Sequence, residues 1–140
     1  MAHVKIELPE EISFSTIIPI RITDLNYGGH VGNDTVLTLF HEARMQFLTH
    51  YGASEMNFGG AGLIMRNVVI EFKKEVFYGD TVKVFVGVSN FSKVSFDVFY
   101  KMVKGNDETI VALGQTGMVC YNYQSKKIVS VPEEMLKKFR

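Results

Sequence analysis

The sequence predicts an α+β fold in which an antiparallel sheet wraps around one long central helix. Apolar side chains recur every three or four residues between residues 36 and 51, which is the spacing of one helix face. From residue 63 onward, apolar and polar positions alternate over long stretches, which is typical of strands. Because an antiparallel sheet must cover its apolar face and only one helix is long enough to do so, we expect the two to pack together.

The first elements are a strand and this long helix. Residues 12–23 are rich in β-branched side chains, and Pro19 favours a sheet edge or a bulge because proline lacks a backbone N–H. Asn33 or Asp34 can cap a helix of about five turns, for which Gly52 supplies the C-terminal stop. The apolar stripe of the helix consists of Val36, Phe40, Ala43, Phe47 and Tyr51.

Strands follow over most of the remaining chain. They are predicted over residues 63–74, 82–88, 94–103 and 109–123, with a short strand over 128–131. The segment GNDE at 105–108 is a hairpin-turn candidate, and Pro132 stands near the first position of a terminal helix. Because there is no internal repeat or linker, residues 1–140 are expected to form one domain.

Composition and charge argue against several classes of function. The 140 residues are 46% hydrophobic, which is enough for a core without disulfides or metals. Fifteen basic and fifteen acidic residues leave no net charge, which argues against nucleic acid or an anionic membrane as the main partner. No apolar run reaches membrane-spanning length and the N-terminus lacks a signal-peptide layout, so a cytoplasmic protein is expected. Cys120, the single cysteine, is interpreted as a buried small hydrophobe rather than a nucleophile.

Several strands carry large apolar side chains on both faces, as Val84 beside Phe85 and Val98 beside Phe99 show. The helix can cover only one of these faces. The other face would form a larger apolar patch than monomers usually expose, so we expect a homodimer or a homotetramer.

Residues 24–44, DLNYGGHVGNDTVLTLFHEAR, concentrate the reactive side chains of the chain at the start of the long helix. Gly28 and Gly29 allow positive φ and close approach to a ligand, and the helix that begins near Asn33 points unpaired N–H groups into the same space. A carbonyl oxygen placed there would be polarised, and one such donor contributes roughly 3 kcal/mol to an acyl-transfer transition state. The alternative is that the two glycines merely form a tight turn.

Three polar residues fall within seven positions where the strand gives way to this turn. Asp24 can orient or activate a water, Asn26 can position that water or donate to an oxyanion, and His30 can shuttle a proton near neutral pH. Asp and Asn are also common turn formers that bond their own backbone, so a purely local role stays open for both.

On the helix, Glu42 lies nearly opposite the apolar stripe and His41 lies on its flank. If a neighbouring chain covers that face, Glu42 becomes a partly buried carboxylate suited to general-base catalysis; otherwise it is a solvated surface charge. Arg44 lies inside the apolar arc, so we expect it to pair with a carboxylate or to cap a backbone carbonyl. Asp24 is one candidate partner, and that pairing would make Asp24 structural.

Other catalytic signatures are absent from the sequence. It contains no phosphate-binding glycine motif, no GxSxG elbow and no CxxC pair. The four histidines, His3, His30, His41 and His50, do not have metal-ligand spacing, so no metal is expected.

The segment RITDLNYGGHVGNDTVLTLFHEAR resembles the signature turn and helix of hot-dog-fold acyl-CoA thioesterases, in the branch named for 4-hydroxybenzoyl-CoA thioesterase. GLIMRNVVIEF and VFYGD fit the same pattern, so the resemblance extends from about Ser13 to Val131. It implies hydrolysis of a thioester of coenzyme A or of an acyl carrier protein, with no cofactor other than the coenzyme A of the substrate. It also implies a dimer whose sheets join edge to edge, or a tetramer of such dimers, with sites at the subunit boundary.

The chain departs from this family at two positions. Asn26 stands where many members carry a second carboxylate, and His41 stands where the family often has glutamate, with Glu42 following. An Asp-x-Asn arrangement with a nearby histidine is similar to that of acyl-carrier-protein thioesterases, although His30 comes two residues later than that pattern would place it.

The leading hypothesis is therefore thioester hydrolysis. The carbonyl binds at the N–H groups of residues 32–34, Asn26 holds water or substrate, and Asp24, His30 or Glu42 supplies the base. The substrate-binding residues are expected to be Gly29, Gly32, Asn33, Asp34 and His41. Two alternatives stay open, a hot-dog hydratase or dehydratase and a non-catalytic module that binds acyl thioesters.

Overall fold

The computed structural model describes residues 5–139, and the strands of this part of the chain form one antiparallel sheet. The strands are β1 (Phe14–Pro19), β2 (Gly62–Phe72), β3 (Thr81–Ser89), β4 (Ser95–Lys104), β5 (Thr109–Asn122) and β6 (Lys127–Ile128). The helices are α1 (Asn33–His50) and α2 (Glu133–Phe139), with a short 3-10 helix at Ile22–Asp24. The strand order is β1-β3-β4-β5-β2, and β6 pairs with the end of β5. The predicted α+β class, with a sheet around one long helix, is confirmed.

The core lies between α1 and one face of the sheet, as the two periodic patterns predict. The α1 stripe buries Phe40 and Ala43 completely, and Val82 and Val84 of β3 are equally buried from the sheet side. Phe40 stacks on Tyr100 of β4 with ring centroids 4.7 Å apart. Burial of an aromatic or branched side chain of this kind contributes about 1.5–3 kcal/mol, so the helix is held mainly by its apolar stripe.

The strand predicted over residues 12–23 is shorter than expected, since β1 spans Phe14–Pro19 and residues 22–24 form the 3-10 helix. Pro19 is the last residue of β1, and β1 is an edge strand, as predicted. Gly52 takes φ of +73° just after α1, which confirms the predicted stop. The predicted cap, Asn33 or Asp34, is wrong: Gly32 occupies the N-cap position, so both residues are already helical.

The outer face of the sheet is covered in part by the chain itself. Residues 5–12 cross this face, because the N–H of Ile6 donates to Glu71 of β2 over 2.9 Å while Ile12 packs against Gly87 of β3. Phe99, which lies on this face of β4, is only 3% exposed. The apolar patch that favoured oligomers is therefore smaller than the strand pattern suggests, and the oligomeric state stays a prediction.

The remaining exposed apolar surface includes the free edge of the sheet along β2. Val68 and Phe72 on this strand are 40% and 49% exposed, and β2 pairs on one side only within the described residues. An edge strand of eleven residues with one side unpaired is a ready surface for pairing with another chain. No helix within residues 5–139 is long and apolar enough to cross a membrane.

Candidate active site

Asp24 lies in the 3-10 helix after β1 and is almost completely buried. Its Oδ2 atom accepts a hydrogen bond from the backbone N–H of Arg21 over 2.8 Å, and its Oδ1 atom lies 3.5 Å from the guanidinium of the same residue. Both carboxylate oxygens are thus engaged within one turn of chain, which is the local role that the sequence left open. The suggested pairing of Asp24 with Arg44 is wrong, since Arg44 binds elsewhere.

Asn26 and the glycine pair form a closed turn. The Oδ1 atom of Asn26 accepts from the N–H of Gly28 over 2.9 Å, and the backbone N–H of Asn26 donates to the carbonyl of His30 over 2.8 Å. Positive φ is found at Gly29, at +81°, but not at Gly28. At Gly28 the space is tight instead, because a Cβ there would lie 3.2 Å from Asn26 Oδ1 and 3.4 Å from His30 Nε2, so these side chains would have to shift slightly.

The turn leads directly to the open N-terminus of α1. Gly32 has no side chain to cap the helix, and Val36 is the first residue whose N–H reaches back, to the Gly32 carbonyl over 3.1 Å. The N–H groups of residues 33–35 therefore point outward with the positive end of the helix dipole. A Cβ on Gly32 would lie 2.7 Å from Oδ1 of Asp34 and 3.6 Å from Nδ2 of Asn26, so both side chains lie beside this helix start.

A pocket of about 450 Å³ opens next to the helix start. His30 and Asn33 stand at its mouth, and Lys74 and Glu75, which follow β2, form part of its rim. Its apolar wall consists of Val31, Val36, Phe72, Val76, Met102, Val111 and Ala112. Sequence reasoning missed the residues that follow β2, although the KKE run at 73–75 directly after a strand was a signal that could have identified a charged rim.

His30 is placed between the turn and this pocket. Its Nδ1 atom lies 3.2 Å from the carbonyl of Val31, and its Nε2 atom lies 4.0 Å from Glu75 Oε1. The ring also contacts Phe77 edge-on, with centroids 6.4 Å apart. A proton on Nδ1 directed at the Val31 carbonyl leaves the Nε2 lone pair free on the pocket side.

Glu42 and His41 are neighbours on the exposed side of α1, and both line a cleft beside β1. Glu42 is exposed, accepts a hydrogen bond from the Gln46 amide over 2.7 Å, and faces the side of β1, where Gln46 also binds Thr16. In the single chain Glu42 is thus a solvated charge, and its role as a base stays a prediction. His41 instead places Nε2 at 2.7 Å from Oε1 of Glu55, a residue that the sequence did not single out.

Arg44 is buried and paired with a carboxylate, as expected. Its Nη2 atom lies 3.3 Å from Oε2 of Glu55, and its Nη1 atom donates to the Tyr100 hydroxyl over 2.9 Å. The Tyr100 hydroxyl shares a further hydrogen bond of 2.8 Å with Thr116. Desolvation raises the pKa of Tyr100 although Arg44 acts in the opposite direction, so the phenol stays neutral. A continuous polar chain therefore runs from Thr116 in the core through Tyr100, Arg44 and Glu55 to His41 at the surface.

Two further predictions concern groups away from this turn. Cys120 is buried, as predicted, and desolvation raises the pKa of its thiol to about 11, which disfavours the thiolate that a nucleophile requires. Residues 5–139 contain no group of three histidine, cysteine, aspartate or glutamate side chains that could hold a metal. His3 lies outside the described residues, and the absence of a metal stays a prediction.

Comparison with known proteins assigns the family. Residues 20–139 match the model of the thioesterase-like superfamily. The chain belongs to this superfamily. The activity that this family indicates is thioester hydrolysis. Over 119 residues the chain is also 29% identical to a putative esterase from Aquifex aeolicus, with 84% of this chain and 90% of the relative covered.

Solved structures show that the fold is the hot-dog fold. The chain matches a 1,4-dihydroxy-2-naphthoyl-CoA thioesterase from Synechocystis with a TM-score of 0.82 and 22% identity, covering 90% of this chain and 94% of that one. It also matches a Staphylococcus aureus protein solved in complex with CoA, with a TM-score of 0.80 and 15% identity, covering 89% and 80% of the two chains. The predicted resemblance to hot-dog thioesterases is thereby confirmed.

Proposed function

We propose that the protein hydrolyses an acyl-CoA thioester to the free acid and coenzyme A. The observation that carries the proposal is the uncapped N-terminus of α1, which opens beside an apolar pocket with Asn26 and His30 at the same place. Membership of the thioesterase-like superfamily supports the reaction class. The coenzyme A bound to the Staphylococcus aureus protein of the same fold supports the thiol.

The helix start binds the thioester carbonyl in this proposal. As water attacks the carbonyl carbon, negative charge develops on the oxygen, and the N–H groups of residues 33–35 donate to it. One such donor is worth roughly 3 kcal/mol in the transition state because the donors are fixed before the reaction begins. Gly32 keeps this space open, since even one added carbon would approach Asp34 Oδ1 to 2.7 Å.

The acyl group enters the adjacent pocket. Its wall is formed by apolar side chains from α1, β4 and β5, among which Met102 and Ala112 are almost fully buried. The ammonium of Lys74 at the rim provides positive charge for the phosphates of coenzyme A outside the pocket. The apolar pocket thus binds the acyl end of a CoA thioester, and the charged surface beside it binds the phosphate end.

Asn26 and His30 act on the reacting groups. The Asn26 amide lies beside Gly32 and can hold the attacking water or the carbonyl oxygen. His30 lines the pocket, and once Nε2 has taken up a proton from solvent it can pass that proton to the thiolate that leaves when the tetrahedral intermediate collapses. Water supplies the oxygen of the new carboxylate, and its proton ends on the departing sulfur.

We also propose that a second copy of the chain completes the site. The free edge of β2, with Val68 and Phe72 exposed, is suited to antiparallel pairing with its own copy about a two-fold axis. The expected assemblies are a homodimer with its sheets joined edge to edge, or a homotetramer of such dimers.

A panel of acyl-CoAs tests the function. Purified protein should release free thiol from at least one short-chain, medium-chain, long-chain or aromatic acyl-CoA. Absence of release across the panel would contradict the proposal. Thermal stabilisation by an acyl-CoA without turnover would favour the non-catalytic binding module instead, which Asn26 in place of an acid makes a genuine competitor.

A further inference from the structure

We propose that His41 is the general base that activates water in this reaction, and that Glu55 and Arg44 are positioning residues that hold His41 in place. This inference rests on the proposed thioester hydrolysis. Within residues 5–139, His41 is the acid–base group near α1 whose partner, Glu55, is itself bound to a buried residue, Arg44.

The contact between His41 and Glu55 fixes both the orientation and the tautomer of the imidazole. Nε2 lies 2.7 Å from the carboxylate oxygen, so an ionised Glu55 keeps the ring proton on that nitrogen. The lone pair is then on Nδ1, for which the described residues offer no partner. The His41 side chain is 52% exposed, so a water molecule can reach Nδ1.

Glu55 is held from two sides. Its backbone carbonyl accepts a hydrogen bond from the N–H of Leu63 over 2.7 Å, which ties it to the start of β2. Its second carboxylate oxygen lies 3.3 Å from the guanidinium of Arg44, a residue that is only 3% exposed. A carboxylate anchored in this way keeps its position when the histidine gains and loses a proton.

A contribution to stability does not by itself explain why the buried Arg44 binds Glu55. Its Nε atom is buried and finds no hydrogen-bond partner among residues 5–139, although Nη1 and Nη2 are bound by Tyr100 and Glu55. An unsatisfied buried donor lowers stability, and a surface histidine–glutamate pair would form without a buried cation beneath it. The arrangement is explained if the position of Glu55 matters for chemistry.

The other acid–base candidates lack a comparable support. Glu75 lies 4.0 Å from His30, beyond hydrogen-bond distance, and its side chain is 64% exposed. Asp24 is engaged by Arg21, and Glu42 is bound by Gln46 on the flank toward β1. His30 therefore fits a proton shuttle at the pocket mouth, whereas His41 has the fixed carboxylate that a general base needs.

His41 acts on the site of a second copy. It follows residues 33–35 by six to eight positions, which places its backbone about 9–12 Å along α1 from the N–H groups of its own helix start. A base must lie within about 3 Å of the water it activates, so we assign the two parts of one site to different chains. A two-fold pair formed along β2, which begins beside Glu55, supplies each site with the helix start of one chain and His41 of the other.

The first test compares matched variants in steady-state kinetics. For His41→Gln we expect kcat to fall by about a hundredfold or more, with KM within about threefold, because the substrate still binds while the base is lost. The exposed His50 provides the control, and His50→Gln should keep the wild-type kcat. Glu55→Gln should lower kcat by about tenfold, and unchanged melting temperatures should accompany the two histidine variants.

The pH dependence of kcat distinguishes a catalytic base at His41 from a purely structural role of this residue. Protonated imidazole cannot accept a proton, so wild-type kcat should fall as the pH is lowered, and His41→Gln should lose this acidic limb. The charged and titratable groups around His41 are Glu55 and Arg44 on one side and Glu42 and Arg21 on the other. An unaltered acidic limb in His41→Gln would overturn the assignment.

A complementation experiment tests action in trans. His41→Gln and the double variant Asn26→Ala, Gly32→Val are co-expressed with different affinity tags, and mixed dimers are purified through both tags. Because each mixed dimer keeps one intact site of two, we expect about half of the wild-type activity, although each variant alone is nearly inactive. No recovery in mixed dimers would overturn action in trans.

Different experimental results would contradict the proposed function and this inference. If wild-type protein hydrolyses no acyl-CoA, the proposed function is wrong. If the wild type is active and His41→Gln retains kcat within about threefold, the reaction stands and His41 is not its base.

Discussion

The guanidinium of Arg44 donates a hydrogen bond to the hydroxyl of Tyr100 over 2.9 Å inside the core, and the ring of Tyr100 stacks on that of Phe40. This contact links the buried Tyr100 to the exposed side of α1, because Arg44 also binds Glu55, and Glu55 binds His41. Helix α1 thus carries His41 on its surface. The contacts that hold this histidine in place begin at Tyr100 in the core.

Removal of the Tyr100 hydroxyl should destabilise the protein. In Tyr100→Phe, Arg44 Nη1 and the Thr116 hydroxyl each lose their shared partner in a buried environment, and we expect the free energy of unfolding to fall by about 1–3 kcal/mol. Urea titration measures the change. The half-buried Tyr121 serves as the matched control, and equal stability of Tyr100→Phe and Tyr121→Phe would contradict the prediction.

A smaller pocket should favour shorter acyl groups. Ala112 is almost fully buried in the pocket wall, and Ala112→Val adds carbon atoms to the space proposed for the acyl chain. Each methylene that no longer fits changes kcat/KM by about 1–3 kcal/mol, or roughly 10–200-fold. We expect the preferred acyl-CoA to become shorter, while Ala53→Val, which lies outside the pocket, leaves the preference unchanged. An identical chain-length profile in Ala112→Val would exclude this pocket as the acyl site.

The buried thiol of Cys120 should make stability depend on pH in the alkaline range. Its pKa in the folded protein is raised from 9.0 to about 11, so the thiol stays neutral when folded but ionises in the unfolded chain. The associated stabilisation is complete below pH 9.0 and is lost as the pH rises toward about 11. The difference in unfolding free energy between wild type and Cys120→Ala should therefore shrink over this interval. A difference independent of pH would contradict the raised pKa.

The fold could be predicted from the sequence because its signals are local. The spacing of Val36, Phe40, Ala43 and Phe47 identifies the buried face of α1, and alternation along β3 identifies the other half of the core. Gly52 marks the end of the helix through a backbone conformation that glycine adopts readily. The path of residues 5–12 across the outer face, past Glu71 and Gly87, was not predictable, since it depends on long-range contacts of the N-terminal segment.

The parts of the candidate site that are formed by residues close together in the sequence could be predicted. The parts formed by residues that only the fold brings together could not. The turn from Asn26 to Gly32 and the open helix start follow from glycine positions within one segment. Arg44 could be predicted to need a carboxylate, because a charge in an apolar arc requires one. The identity of that carboxylate, Glu55, depends on how the loop after α1 folds back toward β2, and no periodic pattern records that contact.

The role of the turn is tested most directly by kcat/KM for Asn26→Ala with the best acyl-CoA. Asn57 forms a similar turn elsewhere, with its Oδ1 accepting from the N–H of Gly60 over 2.9 Å, so Asn57→Ala controls for the loss of a turn hydrogen bond. We expect kcat/KM to fall by at least about tenfold in Asn26→Ala and to stay at the wild-type value in Asn57→Ala. Wild-type kcat/KM in both variants would contradict the placement of the thioester at this turn and helix start.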